Sequence, residues 1–402
     1  MQGENNRRIG DWISSVAVES DSLPFSGKFR NATVKGLARR LNPRSFGVTR
    51  VSSVGGFDAF GISVVQAARP NVSSKQITST QGSGTLLGAY CSAIMEAAER
   101  DAAANIGDRI LSTYENLVSQ GKPVADVSSF FLRLDPRSEV LWVPCDDVFR
   151  GTKVLAPASL FHFPVLEGYL PSIPNTTGIA AGSTILEAAT YAAFEVVERF
   201  YVSLSQFGYL RPRPIIGKLP KFATEILASL AEKAYDVILL KIDPSPIAVV
   251  IGVIRDRSGL TSGAVYRESA AHASLTHAIN SVVKALAQSV VTAIQGARED
   301  MSRVEAGIQS DLEESDRVWA TVLEGCGEDF TMQDIVEQEF PNVHSMAVHT
   351  FEAIYDFFSS VFFFRDISQN AEAKVASVVF PLLVDGMIES ARMESALERL
   401  RA

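Results

Sequence analysis

Two stretches of the chain repeat one spacing of acidic residues. Gly84-Thr-Leu-Leu-Gly-Ala-Tyr-Cys-Ser-Ala-Ile-Met-Glu96-Ala-Ala-Glu99-Arg100 recurs 99 residues later as Ser183-Thr-Ile-Leu-Glu187-Ala-Ala-Thr-Tyr-Ala-Ala-Phe-Glu195-Val-Val-Glu198-Arg199. Thr85 pairs with Thr184, Leu87 with Leu186, Ala93 with Ala192, Glu96 with Glu195, Glu99 with Glu198 and Arg100 with Arg199. Glutamates three residues apart share a helix face. Two such helices facing each other would present four carboxylates, and Glu187 upstream of Glu195 adds a fifth. That density of charge among alanines is costly to bury unless cations neutralise it. Oxygen-only donors select hard cations, and carboxylates with phosphate oxygens are the usual Mg2+ environment. Each copy also follows glycines, in Gln81-Gly82-Ser83-Gly84 and Gly178-Ile-Ala-Ala-Gly182. A glycine turn opening a helix holds anions through backbone N–H groups and the helix dipole. Phosphate, Mg2+ and carboxylate together describe a nucleotide site without a P-loop sequence. The competing reading is a solvated helix face of i,i+4 ion pairs. Two copies at a fixed offset, flanked by alanine rather than lysine, favour the nucleotide site.

The elements that must position these residues are legible in outline. Thr85–Asn105, Thr184–Leu204 and His272–Ala297 read as long helices. Val48–Val54, Gly61–Ala67, Val140–Val143, Tyr235–Ile242 and Ile247–Arg255 are β-branched or apolar runs that suit strands. Asp243-Pro244 and Pro246 supply a turn between the last two. Residues 1–44 are polar, with Arg7, Arg8, Arg39, Arg40 and Arg44 among Asn, Ser and Gly, and read as an arm, either a helical lead-in or a solvated tail. Beyond Arg303 the chain is acidic and mixed, ending in a helix of Glu, Arg and Met. No Gly/Ser linker separates independent domains. The expectation is an α/β (α+β) protein: an arm over 1–44, a body over 45–300 and a C-terminal extension over 301–402 packed on it.

Composition narrows the function. The 402 residues are 47% hydrophobic and 21% charged, an ordinary globular balance. A formal net charge of −9 argues against a nucleic-acid binder, which needs a basic face. Cys91, Cys145 and Cys326 form no CxxC pair, and His162, His272, His277, His344 and His349 form no HExxH, so neither a disulfide framework nor a zinc site is indicated. The opening residues lack the apolar stretch of a secretory signal. Runs such as Ile247–Ile254 and Phe357–Phe364 are about half the roughly 20 residues that span a bilayer. The expectation is a soluble cytoplasmic protein.

Phe46-Gly-Val-Thr-Arg50-Val51 is followed by Gly55-Gly-Phe-Asp58-Ala-Phe-Gly-Ile-Ser-Val-Val65 and Arg69-Pro70. These ordered motifs resemble those of YcaO-domain proteins, in particular the subgroup accompanied by a TfuA-type partner. Gly82–Arg100 is similar to the family's glycine loop and first Mg/ATP helix, and Thr177-Gly-Ile-Ala-Ala-Gly182 through Arg199 to the second. Ala287-Gln288-Ser289 and Gly296-Ala-Arg298-Glu299-Asp300 resemble the third element. The likeness covers about residues 45–300 and continues weakly through Val361–Leu383.

The resemblance implies a YcaO-type fold, with mixed sheets and long helices enclosing an Mg-ATP site, and an ATP-dependent enzyme acting on a peptide backbone. A nucleophile attacks an amide carbon and ATP phosphorylates the oxyanion. Loss of phosphate then leaves an azoline, or a thioamide when sulfide is the donor. It further implies that Glu96, Glu99, Glu187, Glu195 and Glu198 hold Mg2+ or its waters. Ser92, Ser183, Arg199, Gln288 and Arg298 would contact the nucleotide, with Arg298 on the phosphates and, with Gln288, in the catalytic role. The implied partners are a ribosomally made precursor peptide and a TfuA-type protein, with no nucleic acid and no membrane. Family members often dimerise.

The chain also departs from the family's pattern. Gly82-Ser83-Gly84 stands where Gly-Lys-Gly is usual, with Lys75 upstream. Phe200 replaces an Asp after Glu198-Arg199, Ser183 replaces an Asn, and Ala285 replaces a Glu before the Gln. Leu397–Ala402 lacks the proline-rich ending of azoline-forming members. These departures turn the expectation toward thioamide formation, with azoline formation as the alternative chemistry and a nucleotide-binding scaffold without turnover as the alternative class. No cysteine stands in a motif, so any sulfur is expected from a partner.

Overall fold

Apolar runs too long for a half-exposed strand become central strands covered on both faces. Ala248–Asp256 buries Val249 through Ile254 without interruption. Its Gly252 lies against a helix so closely that a Cβ would stand 2.4 Å from Val282 Cγ1. The computed structural model describes residues 2–22, 25, 34–54, 60–72, 79–126, 134–172, 174–258, 265–295, 312–332, 339–360 and 362–383. The chain divides into two units, one of Met1–Asn42, Met95–Phe200 and Phe340–Ala402, the other of Pro43–Ile94 and Tyr201–Glu339.

The second unit holds two sheets. Arg50–Ser53, Ser63–Ala68 and Ser79–Gly84 form an antiparallel three-stranded sheet in that order. The other has five strands in the order Val265–His272, Ala248–Asp256, Tyr235–Ile242, Arg213–Ile216 and Phe330–Thr331. Only its last pair is parallel, so the sheet is mixed. Leu275–Gln295 lies on it as an amphipathic helix, burying Leu275, Ala278, Ile279, Val282, Val283, Leu286, Ala287, Val290 and Val291 at helical spacing.

The first unit is built on an antiparallel sheet ordered Ile110–Ser112, Val140–Asp147, Phe363–Asp366, Lys374–Val379 and Ile179–Gly182, with Thr152–Pro157 added beside Val140–Asp147. The expected C-terminal extension therefore supplies two inner strands. Its runs Phe362–Phe364 and Val375–Phe380 are buried there.

The N-terminal arm is a packed element, which corrects the solvated-tail alternative. Gln2–Val16 is a helix whose Ile9, Trp12 and Ile13 share one buried face. Trp12 meets Phe351, Phe362 and Phe364 edge-on at centroid distances of 5.0, 5.1 and 5.2 Å, an arrangement favoured by the aromatic quadrupole. Val34–Arg40 buries Leu37, and the Asn42 amide donates to Glu372 at 2.9 Å. The polar composition of the arm hid one apolar residue every three or four positions. The helix expected at the C-terminal end lies outside the described residues. No helix among the described residues is long and apolar enough to cross a membrane.

Candidate functional site

Both acidic repeats form helices, Leu86–Ala104 and Ile185–Gln206. The segments ahead of them are not free loops: Gln81–Gly84 and Ile179–Gly182 are strand residues. Their glycines are there because helix backbone crowds them. A Cβ on Gly82 would meet the Ala89 carbonyl oxygen at 2.1 Å, and one on Gly182 the Ala188 nitrogen at 2.5 Å. Ser83 is buried in its strand.

The helix whose Ala287-Gln288-Ser289 resembles the family's third element proves to belong to a further unit of this kind, which the acidic repeat did not include. Val265–His272 runs into the helix Leu275–Gln295 as the other strands run into theirs. Each helix is opened by a hydroxyl that accepts an amide three residues on, as N-caps do. Thr85 takes Gly88 at 3.2 Å, Thr184 takes Glu187 at 3.2 Å and Ser274 takes His277 at 3.4 Å. Fourteen residues beyond these caps stand Glu99, Glu198 and Gln288, so Gln288 is the third unit's counterpart of the glutamates. The readable signal was a hydroxyl residue closing a β-branched or small-residue run. Ala285 and Ser289 erased the rest of the acidic signature.

In the first unit the two acidic helices bring their carboxylates together. Glu99 accepts the Ala181 amide at 3.2 Å. Burial pushes its carboxyl up to about 8, helped by the charges of Glu195 and Glu96 against the opposing pull of Arg100 and the Ala181 amide. Burial likewise pushes Glu195 up to about 7, with Glu198 raising it while Arg199, Arg100 and the Gly178 amide oppose. Arg100 lies 3.5 Å from Glu96 and Arg199 lies 3.6 Å from Glu195. A cation would compete with the proton at these raised carboxyls.

Glu187 stands in the first turn of the second acidic helix. It is fully buried and accepts both the amide of Ser183, at 2.6 Å, and the Ser183 hydroxyl. With Thr184 this forms a close relative of a capping box, so the positive end of the second helix is occupied by the chain's own carboxylate. In the second unit, Ser92 is half-buried beside Gly82. Gln288 donates to Gln81 Oε1 at 3.5 Å, an oxygen that also accepts Thr292 at 2.9 Å. Arg298, Glu299, Asp300 and Lys75 lie outside the described residues. Among the described residues no three His, Cys, Asp or Glu side chains are gathered to hold a metal. Mg2+ does not require such a cage: one or two carboxylates suffice when phosphates and water complete its shell. The oxygen-only pair Glu99 and Glu195 fits that requirement.

The fold and these residues correspond to a known family. The family description "YcaO cyclodehydratase, ATP- and Mg2+-binding" matches residues 81–380. The chain belongs to the YcaO family, whose domain binds ATP and Mg2+. An uncharacterized protein of Methanothermobacter thermautotrophicus is 28% identical over 284 residues, covering 68% of this chain and 72% of that one. An uncharacterized protein in the tfuA 3' region of Rhizobium leguminosarum bv. trifolii is 28% identical over 293 residues, covering 66% and 67%. The structure of YcaO from Methanopyrus kandleri bound with AMPPCP and Mg2+ shares the fold at a TM-score of 0.68 and 20% identity, over 90% of this chain and 96% of that one. A chain of the E. coli microcin synthetase McbBCD complex with pro-MccB17 bound shares it at 0.60 and 15% identity, over 85% and 90%.

Proposed function

We propose that this protein uses ATP and Mg2+ to activate a backbone amide of a ribosomally made peptide or protein, and that with a TfuA-type partner the product is a thioamide. The observation that carries the metal-nucleotide part is the Glu99 and Glu195 pair, two carboxyls raised by burial and by their acidic neighbours. When bound, ATP and Mg2+ would supply the phosphoryl group that turns an amide oxygen into a leaving group. Glu99 and Glu195 would hold the cation, and Glu96 and Glu198 its waters. Arg100 and Arg199 pair with Glu96 and Glu195 and limit the local negative charge. Ser92, Ser183, Arg199, Gln288 and Arg298 keep the nucleotide roles the resemblance gives them, with Glu187 as a further carboxylate near the cation.

Sulfur is assigned to a partner on two grounds. Burial pushes the Cys91 thiol up to about 11 and the Cys145 thiol up to about 12, so neither is a ready thiolate. The relative encoded in a tfuA 3' region supports a TfuA-type partner. The word cyclodehydratase in the family description favours azoline formation as the second reading.

Calorimetric titration of ATP with and without Mg2+, alongside Glu195→Ala, tests the first part. Binding that requires Mg2+ and is lost in the variant is expected, and equal binding by both proteins refutes the assignment. Mass spectrometry of a precursor peptide incubated with ATP, sulfide and the partner separates the chemistries. Exchange of oxygen for sulfur marks a thioamide, and loss of one water marks an azoline. Absence of any change together with absence of ATP turnover identifies a scaffold.

A further inference from the structure

The short turn Glu19–Ser22 belongs to the N-terminal arm, yet its Asp21 is fully buried. Aspartate is rarely buried without partners. Asp21 accepts the Val18 amide at 2.9 Å and the Thr184 hydroxyl at 2.6 Å. The turn is fastened nearby as well: Asn342 Nδ2 donates to the Ser22 carbonyl at 3.1 Å, and the Phe25 amide donates to the Pro341 carbonyl at 2.9 Å. Thr184 is the cap of the second acidic helix, and its oxygen receives the Glu187 amide at 3.2 Å. One hydroxyl therefore donates to Asp21 and accepts from Glu187. A residue 163 positions upstream in the chain thus grips the first turn of the helix that carries Glu195.

The pairing has an electrostatic cost. Burial raises the Asp21 carboxyl, and the charge of Glu187 raises it further. The bonds from Thr184 and Val18 and the charge of His344 oppose this. Glu4, Asp11, Arg7 and Arg8 of the neighbouring helix pair among themselves, as Arg8 with Glu4 at 3.1 Å and Arg7 with Asp11 at 4.0 Å. Two buried carboxylates sharing one helix end repel each other and stay there only through the hydrogen bonds that hold each of them. They make sense where the cap must be held in one place.

We propose that Asp21 is a positioning residue for the cation site: by gripping Thr184 it fixes the cap, Glu187 and the axial register of the second acidic helix, and so the placement of Glu195. This inference rests on the reading that Glu99 and Glu195 hold a cation. Partners of metal-binding groups outside the ligand set typically change metal affinity by about 10- to 100-fold when removed.

The test measures AMPPCP affinity with and without Mg2+, and thermal melting, for a set of variants. Asp21→Ala and Thr184→Val are expected to lower the Mg2+-dependent gain in affinity about tenfold, leaving Mg2+-free affinity unchanged. Asp21→Asn, which keeps an acceptor oxygen, and Thr184→Ser, which keeps the hydroxyl, recover most of the loss. The Asp21→Ala/Thr184→Val double variant is no worse than either single one. Variants that melt lower yet keep the full Mg2+-dependent gain would overturn the proposal and leave Asp21 a purely structural residue. Should Asp21→Ala not fold, Thr184→Val against Thr184→Ser decides the same question. Failure of the underlying reading is separate: the wild-type protein would then show no Mg2+-dependent gain, or Glu195→Ala would retain it.

Discussion

Glu99 and Glu195 have carboxyls raised in the folded chain, which fixes a sign for their effect on stability. A raised acid contributes stability that is fully present below its unfolded value of about 4.5 and is lost as pH rises through about 7 to 8. The metal-free protein is therefore expected to melt at lower temperature as pH rises across that window. Glu99→Gln should flatten the dependence while abolishing Mg2+-dependent nucleotide binding, and melting curves at several pH values beside calorimetry check both. Arg100→Ala should steepen it, because Arg100 lowers both carboxyls. At this scale the E-x-x-E-R letters were legible in the sequence, since spacing alone puts Glu96 and Glu99 on one face. The capture of the Ser183 amide and hydroxyl by the Glu187 carboxylate was not. It depends on which way one side chain turns once the strand Ile179–Gly182 has delivered it.

The strand that opens each helix sets the demands on individual positions. Gly82→Ala would drive a Cβ into the Ala89 carbonyl, which cannot yield without moving the helix. The expected loss is about 3 kcal/mol or more, read by chemical denaturation. Gly10 offers the opposite case. It lies inside the helix Gln2–Val16 with open space around its Cβ position, so Gly10→Ala should add about 0.5–1 kcal/mol. The long helices were legible to within a few residues because they are alanine-rich and periodic. The glycine segments were read as loops because glycine is common in turns, whereas here it permits a strand to lie against helix backbone. The third helix was legible through its likeness to the family, but its kinship with the two repeats was not, because only its cap and Gln288 match them.

For the molecule as a whole, partner-supplied sulfur predicts that the chain's own thiols are dispensable. Replacing Cys91 and Cys145 with Ala and Cys326 with Ser should leave sulfide-dependent product formation unchanged with the partner present, as mass spectrometry would show. Loss of product in a variant that still binds Mg2+ and nucleotide would place sulfur chemistry on this chain. In the native protein Cys326, the least buried thiol, should be alkylated first.

The sequence by itself determined the apolar strands, the periodic helices, the acidic repeat and, through ordered motifs, the family. Each of these depends on residues close together in the chain, where spacing alone decides which side chains share a face. Tertiary structure decided the rest. The placement of Phe363–Asp366 and Lys374–Val379 inside a sheet, the packing of Trp12 on Phe351 and the burial of Asp21 under Thr184 all join residues far apart in sequence. Their stabilisation comes from burial that exists only once the chain has closed, and no local pattern announces it.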